Sequence, residues 1–277
     1  VTALLPPFAY FGGKMRLAER IVDLLPPHSH YVEPFAGSLA VLLAKPRSTM
    51  ETVNDLDGDL VAFWRVLREQ PDALALTMAL TPHSRQEHQD SYEIPEGTSD
   101  LERARRVWVR LSQGRGGTMR RTGWRFYRQP AGSSIGMPGY LAGYTQRVAP
   151  AAERLAGVSL ECRDALDVIA DYGQHPDVLL YCDPPYLGST RASNYRHEIT
   201  GDAEHRELLE ALSDVAATVV LSGYPSSLYE EHLSGWDREE LSAWTGNGIR
   251  DGRTKTDGNR TEVLWCNRPL MRDVPLW

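Results

Sequence analysis

Six short apolar runs read as strands and constrain this chain more than any other feature: His30 to Glu33, Thr52 to Asn54, Val158 to Cys162, Val178 to Cys182, Thr218 to Ser222 and Glu262 to Asn267. Segments with the three-to-four-residue apolar spacing of helices lie between them. Strands alternating with helices predict an α/β fold with a largely parallel sheet, because parallel neighbours must be joined by a crossover. No comparable strand falls between the second and third runs. Residues 58–150 therefore read as an inserted, mostly helical subdomain, with 1–57 and 151–277 forming the main body.

Composition supports a buried core rather than a disordered chain, since 42% of the 277 residues are hydrophobic and 24% charged. No apolar run approaches the ~20 residues that cross a bilayer. The start, VTALLPPFAYFGGK, lacks the charged-then-apolar order of a signal peptide, so a cytoplasmic protein is expected. Cys162, Cys182 and Cys266 form no CxxC pair and are odd in number, which predicts reduced thiols packed like small apolar groups. His28 with His30, and His83 with His88, lack the cysteine or carboxylate set that would complete a metal site.

A net charge of −7 argues against a polyanionic partner until its distribution is considered. From Arg103 to Arg128 there are nine arginines and no Asp or Glu, out of 30 basic residues in the chain. Cations so placed repel one another unless a polyanion compensates them, so the run reads as a basic patch on an acidic body. In its first part Leu101, Ala104, Val107, Trp108 and Leu111 recur at helical spacing, with Arg103, Arg106 and Arg110 on other faces. Its second part, GRGGTMRRTGWRFYRQPAGSSIG, has too many glycines for a helix, alternates basic with aromatic residues, and reads as a hairpin or ordered loop.

Three turns carry candidate chemistry. Asp183-Pro184-Pro185-Tyr186 follows the run VLLYC, at the carboxyl edge where open α/β sheets bind ligands. An exocyclic amine on an aromatic base is a poor nucleophile, because its lone pair is delocalised into the ring. Accepting its N–H groups at the Asp183 carboxylate and the Pro184 carbonyl would restore that lone pair, and Tyr186 could stack on the base. The same sequence would also make a simple proline turn. Glu33-Pro34-Phe35-Ala36-Gly37-Ser38 follows another strand and opens a helix, where nucleotide-like cofactors meet backbone N–H groups. Asn54-Asp55 ends the next strand, where an acid can hold ribose hydroxyls or else cap a helix, with Asp57 as its rival. Tyr10-Phe11-Gly12-Gly13-Lys14 can bring backbone close to a ligand, and Lys14 offers a charge for a carboxylate, although a GGK loop is also a common surface turn.

Taken in order, FGGK, EPFAGS, a strand ending NDLD, YCDPPY, LSGY and RTEVLWCN resemble the Dam-type (D12 class) adenine-N6 DNA methyltransferases over roughly Phe8 to Asn267. The resemblance implies a Rossmann-like methyltransferase fold with an inserted target-recognition subdomain. It implies S-adenosylmethionine as cofactor and site-specific transfer to adenine N6. Tyr10, Lys14, Asp55 and Asp183 would then contact the cofactor or line its pocket, together with Gly12, Gly13, Glu33, Pro34, Phe35, Gly37 and Ser38. Asp164, after the strand VSLEC, would lie beside the cofactor adenine. Cytosine-N4 enzymes use the same DPPY turn, and a DNA-binding module that has lost catalysis could keep this fold; both readings stay open. The family's loop commonly reads FxGxG, whereas Leu39 stands at the second glycine here. Its Cβ disfavours positive φ, unless the helix begins one residue earlier.

The expected partner is double-stranded DNA, with a cognate restriction endonuclease beside it; neither membrane nor metal is expected, and the chain is expected to act as a monomer. Reaching a stacked base requires rotating it out, at a cost of a few kcal/mol. Arg115, Arg120, Arg121, Arg125 and Arg128 are the candidates for phosphate and guanine contacts. Trp124, with Phe126 and Tyr127, is expected to wedge, stack, or form the hairpin core. Leu187 to Thr200, with Arg191, Asn194, Tyr195 and Arg196, would close over the rotated base.

Overall fold

The computed structural model describes residues 3–127, 136–187, 201–244 and 259–272. Its centre is a seven-stranded sheet in the order β3-β2-β1-β4-β5-β7-β6. The strands are β1 (His30–Glu33), β2 (Met50–Asn54), β3 (Ser159–Glu161), β4 (Val178–Cys182), β5 (Thr218–Gly223), β6 (Asp237–Trp244) and β7 (Asn259–Cys266). The first five run parallel, and β7 lies antiparallel to both β5 and β6. Each of the six expected runs is a strand. Strand β6 was not expected, because DREELSAW opens with four consecutive charged residues: Arg238 and Glu240 are exposed while Leu241 is buried. That pattern belongs to a charged edge strand with one solvated face.

Successive residues of a strand point to opposite faces, and the core divides accordingly. Leu179 and Tyr181 of β4 join one hydrophobic cluster, while Val178, Leu180 and Cys182 join another. The second cluster is covered by α9 (Ala165–Tyr172), α10 (Asp202–Ser213) and α11 (Ser227–His232). The first is covered by α1 (Ala18–Leu24), α2 (Ala40–Ala44) and the helices of 58–150. Those helices are α3 (Gly58–Glu69), α4 (Pro71–Leu80), α5 (Arg85–Asp90), α6 (Asp100–Gln113), α7 (Gly136–Thr145) and α8 (Val148–Leu155), the last running past residue 150. Phe63, Trp64 and Trp108 are buried in one cluster with Tyr31, Leu39 and Val53 of the sheet side. Phe8 anchors that junction, with ring centroids 5.0 Å from Phe63 and 5.2 Å from Trp64.

The basic run needs correction over its first half. Arg103 pairs with Asp59 at 2.6 Å, Arg105 with Glu87 at 2.5 Å and with Glu102 at 2.6 Å, and Arg106 with Glu102 at 2.7 Å. Arg110, only 1% exposed, bonds to Asp59 at 3.2 Å and to the Ser91 carbonyl at 2.5 Å. These four arginines lock α6 to α3 and α5 rather than forming a bare cationic surface. Their counter-charges come from helices distant in sequence and from Glu102, one residue outside the acid-free run. Cys162 is a smaller correction, being exposed, whereas Cys182 and Cys266 are buried thiols. Among the described residues no helix is long and apolar enough to cross a membrane.

The turn from β1 into α2 bears directly on the Leu39 departure. Helix α2 starts at Ala40, and Leu39 is its N-cap in the left-handed region, φ 54° and ψ 28°. The helix does not begin early enough to remove the conflict. A non-glycine residue there costs about 1–2 kcal/mol, yet the Leu39 side chain is fully buried, and truncating such a side chain costs about 2–5 kcal/mol. Burial outweighs backbone strain. Leu39→Gly is therefore expected to lower stability by about 2 kcal/mol in urea unfolding; a variant more stable than the parent would show that strain dominates.

Candidate active site

Strand order reverses between β1 and β4, so the turns leaving those two strands diverge and open a crevice at their carboxyl ends. A cavity of about 1040 Å³, open solvent included, lies there. Every residue expected to hold a cofactor lines it: Tyr10, Gly12, Gly13, Lys14, Glu33, Pro34, Phe35, Gly37, Ser38, Asp55, Asp164 and Asp183. Of the DPPY turn, Asp183 and Pro185 face the cavity, whereas Pro184 and Tyr186 are not among its lining residues.

Local chemistry explains the shape. Gly37 sits at φ +48° with the Tyr10 ring pressed on it; a Cβ there would lie 2.9 Å from that ring. Its N–H donates to Asp55 Oδ2 at 2.9 Å, and its carbonyl accepts from Trp64 Nε1 at 3.1 Å. Asp55 also accepts from the Asp57 N–H at 2.9 Å, while Asp57 caps α3 through the Asp59 N–H at 3.0 Å. The two rival acids thus have different structural duties, and both line the cavity. Asn54 ties β2 to its neighbours through the Pro34 and Arg163 carbonyls, each at 3.0 Å. Asp164 caps α9 through the Leu166 N–H at 2.8 Å.

At the DPPY turn the charges are dense. Lys14, only 5% exposed, donates to Asp183 Oδ1 at 2.5 Å, to the Gly12 carbonyl at 3.2 Å and to the Tyr186 hydroxyl. Read from sequence as a charge for a carboxylate, it meets one belonging to the chain itself. The Tyr186 hydroxyl lies 2.6 Å from Glu262 Oε1 and 3.2 Å from Asp183 Oδ1, and the Tyr186 ring packs on Tyr224 at 4.3 Å. Ser222 donates to the same Glu262 oxygen at 2.7 Å. Burial raises the Asp183 carboxyl to about 6, with Lys14 opposing and Glu262 adding to the rise. Burial likewise raises Glu33 to about 8; the hydrogen bond from the Tyr31 hydroxyl at 3.0 Å opposes this, and the charge of Asp183 reinforces it.

The other wall comes from the basic segment. Gly117, Thr118 and Met119 line the cavity, and the Gly117 carbonyl accepts from the Phe11 N–H at 2.7 Å. Gly117 has φ +62°, and a Cβ would lie 2.8 Å from the Ala9 carbonyl oxygen, so glycine is required for this approach. The chain then turns back as a short hairpin, with Gly114 bridging Trp124 and the Arg125 N–H bonded to the Gln113 carbonyl at 2.7 Å. Trp124 is half-buried between His83 at 4.4 Å and Phe126 at 5.3 Å, which makes it part of the hairpin core. Arg115 and Arg121 are exposed, whereas Arg120 and Arg125 are half-buried, Arg125 lying 4.2 Å over the Tyr140 ring. Arg128, Arg191, Asn194, Tyr195 and Arg196 lie outside the described residues.

Sequence reasoning missed Glu262, Ser222, the Gly117–Met119 wall and Arg85, which is exposed and stacked 4.8 Å over Trp124. Glu262 had a legible signal as an acid inside the apolar run EVLWC. Arg85 had none, since the hairpin carries its stacking partner.

The description D12 class N6 adenine-specific DNA methyltransferase matches residues 10–110 and 144–243, leaving the hairpin between the two blocks. A DNA N-6-adenine-methyltransferase of Escherichia phage P1 is 27% identical over 256 residues, covering 85% of this chain. This chain spans only 32% of that relative's length. A DNA adenine methylase of Vibrio cholerae is 25% identical over 253 residues, covering 88% of this chain and 87% of that protein. Among solved structures, the rRNA methyltransferase aviRa of Streptomyces viridochromogenes is 15% identical with TM-score 0.37, covering 91% of this chain and 84% of its own. A precorrin 8W decarboxylase of Methanobacterium thermoautotrophicum is 11% identical with TM-score 0.36, covering 91% and 87%. Those two likenesses are too distant to bear on function. The two family blocks, however, take in more than half of the chain and both turns that build the cavity, and the chain belongs to the D12 class N6 adenine-specific DNA methyltransferase family.

Proposed function

We propose that this chain moves a methyl group from S-adenosylmethionine to the N6 amine of an adenine rotated out of double-stranded DNA. The position of Asp183 carries the reading: its carboxylate opens on the cavity that Glu33, Gly37 and Asp55 also line, so amine acceptor and cofactor pocket share a wall. The lining supports this cofactor. Five acidic residues, Glu33, Asp55, Asp57, Asp164 and Asp183, line it beside one basic residue, Lys14, with burial keeping the Glu33 carboxyl mostly neutral at pH 7. Such a surface repels the pyrophosphate of a dinucleotide and attracts a sulfonium and an ammonium. When bound, the cofactor supplies an electrophilic methyl group on a positively charged sulfur.

The chain's own part is positioning and charge. With Oδ1 of Asp183 engaged by Lys14, Oδ2 is left to accept one amine N–H, and the Pro184 carbonyl accepts the other. As the amine takes the methyl it gains positive charge, which the Asp183 carboxylate offsets; Oδ2 then holds the proton that the product releases. Residues 58–150 would serve target recognition, with Arg115, Arg120, Arg121 and Arg125 on the hairpin and Arg85 beside it contacting phosphates or base edges. The hairpin lies outside both matched blocks.

Incubation of the protein with labelled cofactor and duplex DNA, followed by digestion to nucleosides, is expected to place label in N6-methyladenine; label in N4-methylcytosine overturns the choice of base. Asp183→Ala is expected to abolish transfer while sparing DNA binding. The acceptor is the ionised carboxylate, present above about 6, so the single-turnover rate should fall about tenfold per unit as pH drops below that value. A flat profile from pH 5 to 8 removes Asp183 from the chemistry. Burial leaves Glu33 largely protonated at pH 7. Calorimetric titration of S-adenosylmethionine in buffers of different ionisation enthalpy should therefore show release of roughly half a proton or more; no binding at millimolar cofactor ends the enzyme reading. Replacing Arg120 and Arg121 by Ala should weaken DNA binding and reduce the salt slope by about one to two, and an unchanged slope takes the hairpin off the phosphates.

A further inference from the structure

Glu262 lies on β7, across the sheet edge from the DPPY turn, and is buried at 5% exposure. It accepts from the Tyr186 hydroxyl at 2.6 Å and from Ser222 at 2.7 Å, and stands 3.5 Å from the Lys14 ammonium. A tyrosine hydroxyl has one proton. Asp183 Oδ1 is the other acceptor in reach, at 3.2 Å, and the shorter bond goes to Glu262. Tyr186 therefore turns its lone pairs toward Lys14 and its proton away from Asp183. A buried carboxylate held by two hydroxyl donors at the rim of a reaction site is costly to keep for stability alone.

We propose that Glu262 is a positioning residue for methyl transfer: by taking the Tyr186 proton and sharing the Lys14 charge, it keeps Asp183 a strong acceptor for the target amine. This rests on the reading of Asp183 as that acceptor. Without the Glu262 charge, Lys14 pairs with Asp183 alone and the Tyr186 proton is released to compete for Oδ1. Both changes weaken the carboxylate as a base. The other ionisable groups whose charge interacts with Asp183 or Lys14 are Glu33 at the end of β1, Tyr181 and Cys182 on β4, Tyr224 after β5 and Tyr229 on α11. Glu262 is the group that bonds both Tyr186 and Ser222.

The test is the single-turnover rate against pH for the full chain at saturating S-adenosylmethionine and duplex DNA. Glu262→Gln keeps the side-chain shape and is expected to be roughly tenfold slower at pH 8. Its acid limb should move to lower pH by about half a unit or more, because a nearby negative charge has been removed. Cofactor affinity should change less than about threefold, since Glu262 does not line the cavity. A structural role alone lowers the rate without moving the limb downward, and that result overturns the proposal. Glu262→Asp keeps the charge at shorter reach, so its limb should stay at the parent position even where its rate falls. If the Gln variant does not fold, a downward shift in the Asp variant still overturns the proposal. A parent protein that transfers no methyl group at all defeats the reading of the site; an active parent with an unmoved Gln limb defeats only the role of Glu262.

Discussion

The contact between Lys14 and Asp183, 2.5 Å at a site where Lys14 is almost wholly buried, ties the first loop of the chain to the turn after β4. Taking two charges out of water is unfavourable, and a well-packed apolar pair would often be as stable. Here the pair sits where strand order reverses, and it closes a charged network that reaches Glu262 on β7. Losing Lys14 leaves Asp183 and Glu262 buried as like charges, and losing Asp183 leaves Lys14 with Glu262 alone at 3.5 Å. The cavity wall at Asp183 and the loop that carries Lys14 are thus held by one electrostatic constraint.

The insert is attached to that constraint rather than appended to it. Its Gly117 carbonyl bonds the loop that carries Lys14, and Gly117, Thr118 and Met119 form a wall of the cavity. A few residues on, the same strand of chain becomes the hairpin with Trp124 at its core and Arg115 and Arg121 exposed. Behind it, the arginines of α6 are consumed by Asp59, Glu87 and Glu102 and stiffen the platform. Cavity wall and basic hairpin are therefore neighbours along a short, hydrogen-bonded stretch of backbone.

Much of this was legible in the sequence. The strand runs in the sheet centre are buried on both faces, and the apolar stretches of VLLYC and TVVLSG show that directly, whereas HYVE carries His30 and Glu33 at its two ends. Most of the residues lining the cavity were legible for a related reason: Glu33 to Ser38, Asp55, Asp164 and Asp183 lie at strand ends or follow them by a few positions, where ligands bind in this architecture, whereas Tyr10 to Lys14 precede every strand and stood out only as a glycine loop. Strand β6 was not, because DREELSAW faces solvent on one side and carries the charge of a loop. Leu39 was legible as a conflict but not in its outcome, which depended on how completely its side chain could be buried.

By itself the sequence determined where strands end, which turns follow them and which residues those turns bring to one edge of the sheet. These are properties of neighbouring residues, governed by periodicity and backbone stereochemistry. Only the tertiary structure decided which charges remain for a ligand. Arg110 found Asp59, Lys14 found Asp183, and Glu262 reached Tyr186 across 76 positions of chain. Coulomb attraction depends on distance through space and on exclusion of water, and neither can be read from order along a chain.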